Sequence, residues 1–368
     1  MALPIERSST FVASEQAYLD RLAGDPYSLP VYAREAAPTV LSVERRLAAL
    51  EGSEDALLWA SGMAALHGAL MAELDGGKRM AVALQSYGGS LSLVRSLAPR
   101  LGIEVEYFDV TRPESLDSIV ARGVDLVLCE SLSNPTLKVA DLPALAERTH
   151  AGGGRLLVDA TFVTPLGQRP LEWGADLVWH SASKYLGGHS DLIGGVLSGS
   201  RQDLRAARDW RTSAGGCADP EMAWLVERGL KTLGLRMERH SENAEALAAH
   251  LATHPAVARV HHPSVGDPEQ RALAERLLEC TGGMLSFECV GGDEAAARVL
   301  AALELFVEAP SLGGVESLVS PPARMSHAGL DEAALREVDI GPGCIRVSVG
   351  IEDACDLIAD LDRALASA

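Results

Sequence analysis

Lysine is the scarce residue of this chain. Of its 32 basic side chains only four are lysines: Lys78, Lys138, Lys184 and Lys231. Acidic side chains number 51, which sets the formal net charge at −19. That balance argues against nucleic acid or an anionic membrane as partner, because each requires a basic face. Six cysteines (Cys129, Cys217, Cys280, Cys289, Cys344, Cys355) are scattered without a CxxC pair. Metal-ligand spacing is missing, and a disulfide framework is not expected in a chain of this length. No apolar run reaches the length of a membrane span, and the opening MALPIERSST has no hydrophobic signal core. The expectation is a cytoplasmic protein.

What is present is the pattern of a two-domain globular chain. The 368 residues are 47% hydrophobic and 23% charged, which is ordinary for a soluble enzyme. Residues 1–38 show no clear period and are punctuated by Phe11, Tyr18, Tyr27 and Tyr32 and by Pro26, Pro30 and Pro38. They are expected to form an arm packed on a neighbouring subunit. Helical spacing over 40–50 ends at Glu51-Gly52. Short apolar runs follow at 56–59, 80–84, 103–108, 124–129, 155–158, 177–179 and 196–198. Helical patterns lie between many of them, at 62–74, 90–101, 112–122 and 142–150. Such alternation predicts an α/β fold, a mostly parallel sheet with helices on both faces. Beyond Ser200, helical stretches near 201–211 and 220–254 lead out of the sheet. Segments 283–289, 293–301, 344–349 and 352–366 read as a smaller α+β domain. The expected division is an arm over 1–38, a large domain over 39–235 and a small C-terminal domain over 236–368.

The scarce lysine becomes informative in HSASKYLGGHSDLIGG (180–195). Lys184 follows an apolar strand and sits among hydroxyls and glycines. A neutral lysine amine forms Schiff bases with carbonyls, which requires its pKa of ~10.4 to be lowered by burial or positive charge. Asp159 ends the apolar run Leu156-Leu157-Val158. A carboxylate at that edge of a parallel sheet faces the ligand crevice and can hold the pyridinium proton of pyridoxal phosphate (PLP); a turn-capping Asp is the plain alternative. Ser61-Gly62-Met63 opens a helix, a ready anion site, and Ser181 and Ser183 flank Lys184 with further hydroxyl donors. Tyr87 of Tyr87-Gly88-Gly89 can stack on a flat cofactor, and Asn134 of Ser133-Asn134-Pro135 can donate to a phenolic oxygen. Arg346, in the β-like CIRVSV (344–349), needs a partner, either a substrate carboxylate or a structural ion pair. His261-His262 lacks further ligands at metal spacing, and Gly152-Gly153-Gly154 precedes its strand, so neither is read as a site. His67, His150, His240 and His254 are expected as ordinary helix positions, and Glu44–Arg45 and Arg236–Glu238 as solvated faces.

With these residues in view, the chain resembles the Cys/Met-metabolism family of PLP-dependent enzymes. The resemblance runs from about Tyr32 to Leu365. It rests on ALEG (49–52), ASGMAA (60–65), YGG (87–89), SNPTL (133–137), VDATFVTPL (158–166), GADLVWHSASKYLGGHSDLIGG (174–195), RGLKTLGLR (228–236), SLGGVESL (311–318) and RVSVGIED (346–353). It implies the type I PLP fold. It also implies that Lys184 carries the cofactor and shuttles protons, that Asp159 pairs with the pyridine nitrogen, and that Tyr87 stacks on the ring and assists the chemistry. Ser61, Gly62, Met63, Ser181 and Ser183 would surround the phosphate, with Asn134 and Thr161 near the ring. Arg346, aided by Ser311, would bind the substrate carboxylate. Tyr32 and Arg34 match arm residues that reach the phosphate of a neighbouring subunit, in a dimer usually paired into a tetramer. The chain departs from the family at Glu35-Ala36-Ala37, where Gly and Asn are common, and at Pro310, where many cystathionine enzymes have Glu. It also has Gly89 where methionine γ-lyases place Cys.

The function implied is trans-sulfuration at the γ-carbon of a small sulfur-containing or homoserine-derived amino acid, of the cystathionine γ-lyase or γ-synthase type. The alternatives are an O-acylhomoserine sulfhydrylase, a methionine γ-lyase, a specialised γ-replacement enzyme, and a PLP-binding regulator without turnover.

Overall fold

The computed structural model describes residues 3–329 and 331–368. The first two residues of the expected arm and Leu330 lie outside them.

Seven strands form the large sheet: β1 (Asp55–Trp59), β2 (Arg79–Ala83), β3 (Glu104–Phe108), β4 (Leu126–Glu130), β5 (Arg155–Asp159), β6 (Leu177–Ser181) and β7 (Gly195–Gly199). Their spatial order is β1-β7-β6-β5-β4-β2-β3. All run in one direction except β7, which pairs antiparallel with both β1 and β6. A parallel return from β6 would need a crossover, usually helical. Segment 182–194, which carries Lys184, is rich in glycine and contains no helix, so the chain doubles straight back. The central strands are buried along their whole length, as β4 (LVLCE) shows. Continuous apolar runs of this kind suit a parallel sheet covered on both faces. The sheet edge where the parallel strands end is therefore the natural crevice, and each candidate site segment of the large domain follows one of those strand ends.

A second sheet of five strands has the order β10-β11-β12-β9-β8, from β8 (Val257–His261), β9 (Met284–Cys289), β10 (Val307–Glu308), β11 (Leu318–Ser320) and β12 (Cys344–Ser348). Helices Leu233–Leu251 and Gly292–Ala302 pack against it. One apolar core runs from Val127 and Val158 under the first sheet to Leu247, Leu285 and Val347 under the second, so the two sheets are joined by a continuous packed interior.

Several local expectations are corrected. The arm holds a helix, Glu15–Ala23, capped by Ser14, in a segment that shows no period because Tyr18, Leu19 and Leu22 all remain exposed. The pattern over 112–122 resolves into two short turns, Pro113–Leu116 and Asp117–Val120. The stretch 220–254 is two helices, Pro220–Leu230 and Leu233–Leu251. His254 lies past the second of these, and His240 is fully buried, 2.6 Å from the Val349 carbonyl. Burial lowers the His240 pKa to about 4, so it is a core imidazole rather than a surface polar group. Glu44 and Arg236 are not solvated. Glu44 accepts from Leu58 N (2.8 Å) and from Arg211 (2.5 Å) under the sheet. Arg236 reaches the carbonyls of Tyr185 and Gly229, both at 2.8 Å, and so clamps the segment beside Lys184. Charges spaced along a helix look solvated in one dimension; burial becomes tolerable only when a folded neighbour supplies partners.

Candidate active site

The strand ends converge on one cavity of about 940 Å³. Ser61, Gly62, Met63, Tyr87, Asn134, Asp159, Thr161, Ser181, Ser183, Lys184, Ser311 and Arg346 all line it. Tyr32 and Arg34 do not. The Arg34 guanidinium lies 5.4 Å from the Tyr32 ring and donates to the Thr212 carbonyl, away from this cavity.

Lys184 Nζ donates to Ser311 Oγ at 2.7 Å. Burial, and secondarily the nearby Arg346 charge, lower its pKa to about 8, so a substantial share of the amine is neutral near physiological pH. Ser311 itself adopts φ +99°, a conformation that L side chains rarely accept, and its carbonyl receives Arg346 Nη2 at 3.1 Å. Arg346 also donates Nη1 to Asn134 Oδ1 at 3.2 Å, and its buried Nε has no partner among the described residues. Burial lowers the guanidinium pKa to about 10, so it stays charged. A buried cation that borders the cavity and keeps an unused donor is suited to an anionic partner.

Asp159 does cap its turn, but with one oxygen only. Thr161 donates its backbone N–H (2.9 Å) and its hydroxyl (2.5 Å) to Oδ1, which leaves Oδ2 without a partner among the described residues. Burial raises the carboxyl above its ordinary value, against the two Thr161 bonds and the neighbouring His180. A cation placed against Oδ2 would reverse that shift.

Ser61 caps helix Gly62–Glu73 by accepting from Ala64 N at 3.0 Å. The first-turn N–H groups of that helix have no intrahelical acceptor. A Cβ at Gly62 would lie 3.0 Å from Ser181 Cβ, a tight contact, so glycine eases the close approach of the helix start to the β6 terminus. The Ser181 hydroxyl makes no hydrogen bond with the described residues. The Ser183 hydroxyl is already engaged with Gly194, accepting from its N–H at 3.0 Å.

Glu130, at the end of β4, also lines the cavity and was not singled out from the sequence. It sits opposite Asp159 in the parallel register. The available signal was the one that exposed Asp159: an acid closing an apolar strand. Glu316, which accepts from the Ser190 hydroxyl near the entrance, was likewise missed.

A lysine amine of lowered pKa, a strand-end carboxylate with a spare oxygen and a glycine-lined helix start are chemically suited to a pyridine aldehyde phosphate. The chain belongs to the Cys/Met metabolism PLP-dependent enzymes, whose family model matches residues 1–366. It is 40% identical over 335 residues to the cystathionine gamma-lyase of Bacillus subtilis, covering 91% of this chain and 88% of that protein. It is 42% identical over 373 residues to the L-methionine gamma-lyase of Streptomyces avermitilis, covering 99% and 84%. Among solved structures, cystathionine gamma synthase from Xanthomonas oryzae pv. oryzae in complex with cystathionine superposes with a TM-score of 0.93 at 36% identity, over 100% of this chain and 93% of that one.

Proposed function

We propose that this enzyme cleaves or replaces the γ-substituent of a small sulfur-containing or homoserine-derived amino acid, in the manner of a cystathionine γ-lyase or γ-synthase. One observation carries the reading: Ser311 joins the Lys184 amine through its hydroxyl and the Arg346 guanidinium through its carbonyl. An amino acid held by its carboxylate on Arg346 would have its α-carbon near Lys184, the only lysine among the described residues that line the cavity.

Bound PLP supplies an electron sink for the carbanion formed at that carbon. Asp159 Oδ2 would hold the proton on the pyridine nitrogen. The N–H groups of Gly62 and Met63, with the Ser181 hydroxyl, would hold the phosphate, Ser61 and Ser183 shape that cradle, and Thr161 and Asn134 border the ring. Lys184, in its neutral form, takes the α-proton at Nζ and returns it later. Tyr87 would cover the ring face and move a proton at the leaving group. Ser311 orients Nζ, and Arg346 fixes the substrate.

The cystathionine reading draws support from the Bacillus subtilis relative and the Xanthomonas oryzae neighbour, whereas the Streptomyces avermitilis relative stands for the methionine alternative. Methionine γ-lyase chemistry is disfavoured by Gly89. A Cβ there would lie 2.4 Å from the Tyr87 ring, so a cysteine at this position would displace the ring. The arm would bring Tyr32 and Arg34 to the phosphate of a second copy, in a dimer that pairs into a tetramer. The division into 1–38, 39–235 and 236–368 and a cytoplasmic location belong to the same reading. No helix among the described residues is long and apolar enough to cross a membrane.

Product analysis with L-cystathionine and PLP-loaded protein tests it. Cysteine, 2-oxobutanoate and ammonia establish γ-elimination. Cystathionine formed from an O-acylhomoserine and cysteine establishes γ-replacement. Turnover of neither overturns the reading.

A further inference from the structure

Glu130 is a buried acid that the mechanism above leaves unused. Its side chain is buried at the cavity wall, and no basic side chain among the described residues makes an ion pair with it. Unpaired buried carboxylates are costly, so what compensates this one shows what it is for. Both of its oxygens are taken by backbone donors: Oε1 by the N–H of Tyr87, and Oε2 by the N–H of Asn134 at 3.2 Å. These two residues follow different strands, β2 and β4, and both line the cavity. Tyr87 is also the N-cap of helix Gly88–Leu101 and makes no side-chain capping bond of its own. Glu130 accepts instead from the N–H of the N-cap residue itself, which sets its carboxylate at the positive end of that helix.

We infer that Glu130 is a positioning residue: its carboxylate braces the backbones of Tyr87 and Asn134, and so fixes the ring that covers the cofactor and the amide that holds Arg346. The amide link is explicit, since Asn134 Oδ1 receives Arg346 Nη1. Burial and the adjacent Asp159 charge raise the Glu130 pKa well above its ordinary value, which agrees with an acid kept in an unfavourable place for its geometry. Glutamine in its place has the same shape but turns one acceptor into an NH₂ donor. That donor faces a backbone N–H, so one arm of the brace is lost.

The inference rests on the cofactor site described above, and its test needs no knowledge of the substrate. The cofactor dissociation constant of the full chain is measured by equilibrium dialysis for wild type, Glu130→Gln, Tyr87→Ala and the double variant, with thermal midpoints alongside. Loss of one hydrogen bond to a charged group predicts that Glu130→Gln weakens PLP binding about 10-fold. Because Tyr87 is the arm of the brace that meets the cofactor ring, while the Asn134 arm serves Arg346 and the substrate, the double variant binds PLP within about 3-fold of Tyr87→Ala alone, so the effects do not multiply. Glu130→Asp keeps the charge but falls a methylene short, and should weaken binding like Gln; it also substitutes as the test variant should Gln fail to fold. Fully multiplicative effects, or a lowered midpoint with unchanged PLP affinity, overturn the inference. Unchanged PLP affinity in Tyr87→Ala alone instead overturns the placement of Tyr87 over the cofactor.

Discussion

Replacing Lys184 with methionine should make the cofactor-free protein more stable, not less. The structure moves the Lys184 pKa from 10.5 to about 8, chiefly by burial and then by the Arg346 charge. A shift of that size corresponds to about 3 kcal/mol held against the charged amine. Below pH 8 the amine is charged in both the folded and the unfolded chain, and the full penalty applies. Between pH 8 and 10.5 the folded state sheds the proton first, so stability rises with pH; above that window the penalty is gone. Methionine has similar volume and no charge, so Lys184→Met removes the penalty at pH 7. The bond to Ser311 Oγ is lost as well, which offsets part of that gain. Unfolding entropy of about 2.1 cal/mol/K per residue gives ~0.8 kcal/mol/K for the whole chain, so the midpoint should rise, by roughly 3–4 °C at most. Differential scanning fluorimetry of both apo proteins from pH 6 to 10.5 reads this directly. The gap should be widest at pH 6–7 and should close toward pH 10.5. A Lys184→Met protein that melts below wild type at pH 7, or a gap independent of pH, refutes the claim that Lys184 is held as a destabilised cation.

Other substitutions probe the remaining parts of the site. Gly62→Ala sets a methyl 3.0 Å from Ser181 Cβ. It should weaken PLP binding by roughly 5–150-fold, through overpacking of roughly 1–3 kcal/mol; unchanged affinity in dialysis would remove the helix start from the phosphate site. Arg346→Lys keeps the charge but cannot span both Asn134 Oδ1 and the Ser311 carbonyl. It should raise the substrate KM by roughly 10–100-fold with little change in PLP affinity, as steady-state kinetics and dialysis would show. Gly89→Ala drives a Cβ into the Tyr87 ring, at 2.4 Å. It should lower kcat/KM and weaken PLP binding together, whereas a change in neither would show that the ring position is unimportant.

Much of this protein is written along the chain. A lone lysine after an apolar strand, an aspartate closing another and Ser-Gly opening a helix are local patterns, because strand ends and helix starts are local features. The order of motifs also identified the family, and the alternation of short apolar runs with helical periods set the sheet. Only the tertiary structure decided what these groups do to one another. The reversal of β7 depends on segment 182–194 having no helix to carry it across. Glu44, Arg236 and His240 are buried because distant residues supply their partners: Arg211, the Tyr185 carbonyl and the Val349 carbonyl. No periodicity encodes contacts over such separations. Glu130 is the clearest case. In sequence it is a charge at the end of a strand; in the fold its two oxygens meet backbone donors from two separate loops, beside Asp159 in the neighbouring strand. Lys184 likewise reads as a lysine among glycines, and only burial beside Arg346 and Ser311 lowers its pKa, because desolvation and through-space charge are properties of the folded interior.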